Sequence, residues 1–325
     1  MENNTEKKTK KPGFLHDLFR KKPLGALGMI ILILLVLVAI FADYIAPYPM
    51  VNGALPVDVL HKFAKSSPEH LLGCDSLGRD VLSYLIYGAR TSVILCVCCT
   101  ALSILVSIII GTLSALIGGW FDLVVQRFVD AWLSIPSMLI LLILMSILGS
   151  GMPQLIFALS VPSGIAGSRL IRGSAVMVRS SGYLKVSENL GSGVFWRILK
   201  HVIPNILPLI ITNMATSLSG VVLMESSLSF LGFGVDPATP SWGYMITNQG
   251  RTYMFMAPWL AIYPGICISL MVFSANMFGD AVRDLLDPRL KGGVGSYSTK
   301  KIEKIAAKQM KKFHIGLDPN FTWGE

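Results

Sequence analysis

The segment YLKVSENLGSGVFWRILKHVIPN, residues 183–205, is a polar and basic interruption in a chain that is otherwise mostly apolar. It follows one long apolar tract and leads into another, residues 202–224, which contains no Asp, Glu, Lys or Arg. An uncharged tract of this length is long enough to cross the hydrocarbon core of a bilayer, which is about 30 Å thick. The segment is therefore predicted to be a loop presented at one face of a membrane.

The overall composition supports this interpretation. Hydrophobic residues make up 53% of the 325 residues and charged residues 14%, with a mean hydropathy of +0.61. These values indicate a polytopic membrane protein and argue against a soluble domain. The chain also has 28 Lys and Arg against 19 Asp and Glu, an excess that either nucleic-acid binding or membrane topology would explain. The positions of the basic residues distinguish the two explanations.

Uncharged tracts predict where the chain crosses the membrane. Residues 24–42 form a run of 19 that is long enough to cross at about 1.5 Å per residue. Because a signal peptide has only roughly 7 to 15 apolar residues, a retained first span is predicted. Residues 131–168 are too long for one span, and the helix-breaking GSGMP at 149–153 divides them in two. Six spans are therefore predicted, the others lying at 91–120, 202–224 and 252–279.

These spans divide the chain into five parts. They are a basic tail at 1–23, a first span at 24–46, an extracytoplasmic segment at 47–90, a core at 91–281 and a tail at 282–325. Within the core, the opening loop occupies 180–203 and an outer loop occupies 226–257. With the amino terminus inside, 23 of the 28 basic residues fall on the inner side, in agreement with the positive-inside rule. Both termini are therefore predicted to be cytoplasmic.

Four sequence motifs carry a family resemblance. Gly191 is followed ten residues later by His201 and thirteen later by Pro204. The others are HLLGCDSLGRDVLSYLIYGARTS at 70–92, ESSLSFLGFGVDPATPSWGYMI at 225–246 and GDAVRDLLDPRL at 279–290. Together they resemble the second, "C"-type, permease subunit of ATP-binding-cassette (ABC) importers of the dipeptide, oligopeptide and nickel family, almost continuously from residue 70 to 290. Taken alone, the segment at 70–92 is also compatible with a plain surface turn, in which glycines allow backbone conformations that other residues rarely adopt.

The resemblance implies an all-α polytopic fold with six transmembrane helices and a cytoplasmic coupling-helix loop, the type I importer architecture. It implies the inner or plasma membrane of a prokaryote. The chain is expected to bind no cofactor and to leave ATP to partner subunits, because it has no GxxxxGK[ST] motif that would hold a nucleotide. The implied partners are a second, homologous permease, one or two cytoplasmic ATPases, an extracytoplasmic solute-binding protein and membrane lipid, without nucleic acid.

The same resemblance assigns roles within the opening loop. Residues 183–190 would form the coupling helix that contacts the ATPase, Gly191 the turn, and residues 201–205 the start of span five. The sequence departs from the family because Lys185 stands where the EAA motif has its acidic residue. Glu188 restoring a carboxylate one turn later, a changed charge on the ATPase, and tolerance of either charge all remain open. The residues expected to couple to the ATPase are Tyr183, Lys185, Val186, Ser187, Glu188, Leu190, Gly191, His201 and Pro204.

Other residues belong to the family motifs without an assigned role. In the segment before span two these are Gly73, Asp75, Gly78, Arg79 and Asp80, and in the later motifs Glu225, Gly232, Trp242, Gly279 and Asp280.

Several features outside these motifs have structural interpretations. Arg127 and Asp130, three residues apart, are expected to pair on one helix face, with a substrate contact as the alternative. Four cysteines, Cys96, Cys98, Cys99 and Cys267, lie in apolar tracts, and Cys74 stands alone, so neither a disulfide framework nor a metal site is expected. Residues 300–313 predict a basic amphipathic helix that lies on anionic lipid or docks on the ATPase.

The predicted function is translocation of di- or oligopeptides, and the chain is not expected to be an enzyme. The same transporter type for nickel, glutathione or another small solute is the alternative. A stand-alone ion-coupled carrier is less favoured, because such carriers place ionisable groups near the bilayer midplane and the charges here lie near span ends. A membrane enzyme lacks support, since the five histidines are scattered and no HExxH or nucleophile motif is present.

Overall fold

The computed structural model describes residues 14–286 except residues 52 and 237. Regular structure in this part of the chain is helical, and β pairing is limited to two isolated bridges, Val51 with Ala54 and Cys74 with Asp80. Five helices are long and apolar enough to cross a membrane, and a sixth crossing is formed if one sharply bent helix pair is counted. This confirms the predicted all-α polytopic fold. The proposed amphipathic helix at 300–313 and most of the amino-terminal tail lie outside the described residues.

Thirteen α-helices follow one another along this part of the chain. They are α1 Phe14–Lys21, α2 Pro23–Ile40, α3 Ala42–Ile45, α4 Val81–Ile117, α5 Gly119–Leu133, α6 Ser137–Leu148, α7 Met152–Arg179, α8 Gly182–Asn189, α9 Val194–Arg197, α10 Ile203–Phe230, α11 Trp242–Tyr244, α12 Arg251–Tyr253 and α13 Trp259–Leu286. A short 3₁₀ turn, Val59–His61, precedes α4, and π-helical turns, Ile198–Val202 and Met245–Gly250, join α9 to α10 and α11 to α12.

The second span begins earlier than its charge pattern suggests. Helix α4 starts at Val81 rather than at residue 91, because the Asp80 carboxylate caps it by accepting hydrogen bonds from the backbone N–H and the hydroxyl of Ser83, both at 2.8 Å. Arg90 lies inside the helix and donates from Nε to the Ala39 carbonyl (2.9 Å) and from Nη2 to Asp43 (2.8 Å). A charge that is paired in this way does not end a span.

The predicted third span is a bent pair of helices. Helices α5 and α6 meet at an angle of 89° across a short break that ends in Pro136. Proline has no backbone N–H and disfavours helical geometry in the residue before it, so one straight helix cannot continue through this point. The chain turns sharply at Gly118, which separates α4 from α5, and at Gly119, the first residue of α5, where φ is +70° and +58°.

Helices α4 and α7 pack closely, and α10, α13 and α2 form a second packed group. Glycines permit the α4–α7 contact: a Cβ added at Gly164 would lie 2.8 Å from the Ser103 carbonyl oxygen, and one at Gly111 would lie 2.6 Å from that of Ser168. The Ser107 hydroxyl also donates to the Gly164 carbonyl at 2.8 Å. Close approach through small residues is the usual way that helices associate in lipid, so Gly111 and Gly164 serve helix packing.

We expect Gly164→Val to destabilise this contact, because the new side chain meets the backbone of α4. Overpacking of this kind costs about 1–3 kcal/mol, which would appear as a lower melting temperature of the purified protein in detergent. The matched control is Gly173→Val in the same helix, where an added Cβ meets nothing within 4 Å. Equal melting temperatures for the two variants would contradict the role of Gly164.

Candidate functional site

The opening loop folds as a short helix closed by a glycine turn. Helix α8 is followed by Leu190 and by Gly191 at φ +80°. The N–H of Gly191 donates to the Glu188 carbonyl (2.9 Å), and the N–H of Ser192 donates to the Ser187 carbonyl (3.2 Å). This pair of bonds is the Schellman termination, which requires a left-handed residue at the position that Gly191 occupies. The structure therefore places the predicted helix and turn within a residue of their expected positions.

Side-chain contacts join α8 to the helix that follows. The Glu188 carboxylate lies 2.9 Å from Nη1 of Arg197, whose side chain is only 8% exposed. The hydroxyls of Ser187 and Ser192 are 2.7 Å apart. Nε2 of His201 lies 3.5 Å from the Ser187 hydroxyl of α8, and the His201 ring packs edge-on against Trp196 of α9, with centroids 5.1 Å apart. The loop is thus braced against α9 and the π turn that follows it.

The outer surface of the loop is apolar. Leu184 is buried, but Val186 is 58% exposed and Leu190 is 82% exposed. Tyr183 and Phe195 are exposed as well, and Lys185 adds one exposed positive charge beside them. Tyr183, Val186 and Leu190 are spaced at i, i+3 and i+7, so they lie along one face of α8 and its C-cap, and exposed apolar side chains grouped in this way are typical of an interaction surface. We call this set, Tyr183, Lys185, Val186, Leu190 and Phe195, the loop surface.

The geometry changes the interpretation of Glu188. Its carboxylate is engaged within the chain by Arg197, so it serves as an internal brace rather than as a replacement for the acidic residue that the family carries at the position of Lys185. A largely buried arginine needs a compensating charge, which explains why an acidic residue is required at 188. Sequence reasoning missed Arg197, Trp196 and Ser192, although all three lie inside the quoted segment.

The start of span five also differs from expectation. Residues 201–205 do not begin a helix, because α9, the π turn Ile198–Val202 and α10 form one continuous span from Val194 to Phe230. Pro204 and Pro208 therefore lie inside this span, where neither can donate a backbone hydrogen bond. The π turn immediately before Pro204 is a local adjustment of the kind that accompanies such prolines. Asn205 Nδ2 donates to the His201 carbonyl at 2.6 Å.

At the opposite end of the bundle, the motif before α4 forms a buried brace. Asp75, 1% exposed, accepts hydrogen bonds from the backbone N–H groups of Leu77 and Arg79, and its Oδ2 lies 2.7 Å from Nε of Arg79. Nε2 of Gln249, in the outer loop, donates to the same oxygen at 2.9 Å. His70 Nδ1 lies 3.0 Å from Asp80, which caps α4. These contacts favour the family motif over a plain surface turn.

Glycines make the close turns of this brace possible. Gly78 has φ of +76°, and a Cβ there would lie only 1.6 Å from the Asp58 carbonyl oxygen. Gly73 has φ of +79°, and its Cβ would lie 2.6 Å from the Ala64 carbonyl oxygen. Both positions therefore demand glycine for conformation and for space.

The later motif meets the same end of the bundle. Trp242 is 1% exposed, donates from Nε1 to the Leu85 carbonyl at 2.9 Å, and packs against Gly88 of α4. Glu225, 2% exposed, accepts from the hydroxyls of Ser229 (2.9 Å) and Ser226 (3.3 Å). The motifs at 70–92 and 225–246 are therefore neighbours in space.

The remaining motif residues lie apart from this brace. Gly232 turns the chain after α10 at φ +86°. Gly279 lets α13 approach α10, since an added Cβ would lie 3.1 Å from the Ala215 carbonyl oxygen. Asp280 is exposed on α13.

Metal and thiol chemistry find no support in the described part of the chain. No group of three or more His, Cys, Asp or Glu side chains there is arranged to hold a metal ion. Burial raises the pKa of the Cys74 thiol to about 11, which keeps it protonated and unreactive at neutral pH.

The expected Arg127–Asp130 pair forms at 3.6 Å, and Asp130 also contacts Arg169.

Known proteins with similar sequences were found. The family model "Binding-protein-dependent transport system inner membrane component" matches residues 103–292, and "N-terminal TM domain of oligopeptide transport permease C" matches residues 17–61. The chain is 33% identical over 274 residues to "Glutathione transport system permease protein GsiD" of Shigella flexneri serotype 5b (strain 8401), covering 84% of this chain and 89% of the relative. For the protein of that name from Pectobacterium atrosepticum the identity is 32% over 278 residues, covering 86% and 91%.

We expect Arg197→Gln to loosen α8, because it removes the charged partner of Glu188. Backbone amide hydrogen exchange at residues 187–192 should become faster by roughly tenfold, as for loss of a buried charge-assisted hydrogen bond. Lys200→Gln is the control, since Lys200 is an exposed basic residue three positions further along the same span. Unchanged exchange in Arg197→Gln would show that the ion pair does not hold the loop.

Proposed function

The chain belongs to the dipeptide, oligopeptide and nickel family of ABC importer permeases, and on this premise we propose that it forms one half of the pathway of a peptide importer. It is a multi-pass inner-membrane protein and not an enzyme. The observation that carries the proposal is the braced loop surface at one end of a bundle whose sequence matches the family along most of its length. Such a surface is suited to receive motion from a soluble ATPase.

In the proposed orientation both termini and α8 are cytoplasmic. The bias of basic residues toward that side supports it, because 23 of the 28 Lys and Arg fall there. The brace around Asp75 and Gln249 is then extracytoplasmic, on the side from which a solute-binding protein would deliver its ligand.

The proposed mechanism uses the loop as a lever. An ATPase subunit contacts the exposed side chains of the loop surface, and its movement passes through the Gly191 turn and the Glu188–Arg197 ion pair into the span from Val194 to Phe230. Two states of the permease, open to either side, are then selected by closure of the ATPase pair. Because the chain has no nucleotide-binding motif, ATP is bound by the partners, and a second permease subunit completes the pathway.

A groove near the proposed outer face fits a peptide. It has a volume of about 420 Å³ and is open on one side, where a second subunit would close it. Its lining combines the hydroxyls of Ser226, Ser227 and Thr247 with the apolar side chains of Leu223 and Phe230. Each of these hydroxyls already donates its proton within the chain, so it can accept a hydrogen bond from a peptide N–H, while apolar walls accept varied side chains. Glutathione, itself a tripeptide, is the second candidate because relatives with 33% identity carry it in their names.

Substrate choice is tested with the assembled importer in proteoliposomes that contain the cognate ATPase, second permease and binding protein. Radiolabelled dialanine, tetraalanine, glutathione and Ni²⁺ are offered separately. We expect saturable, ATP-dependent uptake of at least one alanine peptide. Uptake of glutathione alone would favour the second candidate, uptake of Ni²⁺ alone would overturn the peptide class, and uptake without ATP would indicate an ion-coupled carrier.

The lever is tested by proline substitution. Gly191→Pro should abolish ATP-dependent uptake but leave membrane insertion intact, because proline cannot adopt φ +80° and has no N–H to donate to Glu188. The matched control is Gly193→Pro, two residues away, where the backbone φ of −65° already suits proline. Uptake by Gly191→Pro at the level of the control would exclude the lever.

A further inference from the structure

Two ion pairs join α5 to α7 on the side of the bundle that carries α8. Asp122 accepts two hydrogen bonds from Arg172, from Nε to Oδ1 at 2.6 Å and from Nη2 to Oδ2 at 2.5 Å. Eight residues further along α5, Asp130 contacts Arg169, which lies three residues earlier in α7. The pairing order shows that α5 runs antiparallel to α7 along this stretch. Arginine with two bonds to one carboxylate fixes orientation as well as distance.

The pair at Asp122 also reaches α4. The Ser114 hydroxyl of α4 donates to Asp122, and Nε2 of Gln126 donates to the same hydroxyl at 3.0 Å. About two helical turns nearer α8, Nη1 of Arg179 donates to the Ala115 carbonyl at 2.9 Å. The adjoining ends of α4, α5 and α7 therefore meet in one polar junction.

Apolar burial contributes little to the placement of α5. Val129 is the only buried residue of α5, a helix that the structure describes in full, and apolar side chains such as Trp120 and Phe128 are exposed on its other face. In contrast, α6 packs on the far half of α7 through Leu141 and Met145. Without the ion pairs, α5 would have little apolar contact to fix its position beside α7.

A ligand site is a weaker explanation of the same residues. The ion pairs line an open groove of about 490 Å³ between α5 and α7, but Arg172 and Arg169 are both already bound to carboxylates. The third arginine of the groove, Arg127, shares Asp130 at 3.6 Å, so all three arginines are engaged within the chain and only one net positive charge remains for an anion. The two pairs therefore fit a mechanical brace better than a binding site.

The position of the brace suggests what it transmits. Helix α7 ends at Arg179, and only Ser180 and Ser181 separate it from α8. We propose that Asp122–Arg172 and Asp130–Arg169 form a clamp that makes α5 follow α7 when the ATPase moves α8, whereas α6 follows α7 through its own apolar contacts. The inference rests on the proposed function. Its four residues are positioning residues that link ATP hydrolysis to movement of the spans.

The test compares clamp variants in the complete importer with its ATPase. We expect Asp122→Asn and Arg169→Gln to lower uptake per ATP hydrolysed by roughly tenfold, the effect of about 1.4 kcal/mol, while co-purification of the ATPase and its hydrolysis rate change little. The probe is a mixture of radiolabelled dialanine, tetraalanine and glutathione. The charge exchange Asp130→Arg with Arg169→Asp should restore much of the ratio that Arg169→Gln loses.

The matched control is Asp284→Asn. It breaks an inter-helix ion pair with Lys22, in which Lys22 is 43% and Asp284 38% exposed. This exposure resembles that of the Asp130–Arg169 pair, and the control involves neither α5 nor α7. We expect its uptake per ATP to equal that of the wild type. An unchanged ratio in the clamp variants, or a loss of ATPase co-purification with no change in the ratio, would overturn the clamp.

A second readout does not depend on the substrate. Spin-labelled amino acids replace Tyr44 of α3 and Phe128 of α5, which are 88% and 57% exposed, and their separation is measured without nucleotide and after trapping with ATP and vanadate. We expect the separation to change in the wild type and in Asp284→Asn but not in the clamp variants. A change of equal size in the clamp variants would refute the proposal, whereas wild-type movement without uptake of the mixture would refute only the proposed substrate class.

Discussion

A charge beside hydrocarbon must be paired, and much of this fold depends on how the chain meets that requirement. Leaving a charged side chain alone in a bilayer costs several kcal/mol or more. Arg90 is matched by Asp43, Asp122 by Arg172, and Arg197 by Glu188. Each pair brings together two elements that are separate along the chain: α3 with α4, α5 with α7, and α8 with α9. The ion pairs therefore locate the short elements that apolar packing alone would leave loosely placed.

The long helices are held differently. In lipid there is little hydrophobic driving force between helices, so close backbone approach and buried hydrogen bonds take its place. Glycines at 111 and 164 allow α4 and α7 to meet, and the Ser107 hydroxyl bonds across the contact. The result is a closely packed α4–α7 pair. The C-terminal end of α7 adjoins α8, and two ion pairs attach α5 to α7. Closely packed helices with an ion-paired neighbour are suited to transmit a displacement of α8 through α7 to α5.

Family membership and geometry contribute different parts of the functional picture. Similarity to ABC importer permeases establishes the class of protein, but it does not say which contacts connect the loop to the spans. The Schellman turn at Gly191 and the Glu188–Arg197 pair supply a physical connection on one side of the loop, and the α7 junction supplies another. In the proposed importer, motion would thus enter the bundle through two routes, one toward α10 and one toward α5 and α6.

The sequence by itself determined the all-α polytopic class, the loop and the Gly191 turn, because these depend on local composition, tract length and the backbone freedom of single residues. Of the six predicted crossings, five are long apolar helices and the sixth depends on counting the bent α5–α6 pair as one span. It misplaced the start of α4 and of span five, since a paired Arg90 and a π turn before Pro204 let helices continue where charge and proline suggest a break. Only the tertiary structure decided that Glu188 binds Arg197, that Asp122 binds Arg172, and that Asp75 binds Gln249, 174 residues away. A partner that distant is selected by how helices pack in space, which no local pattern of residues encodes.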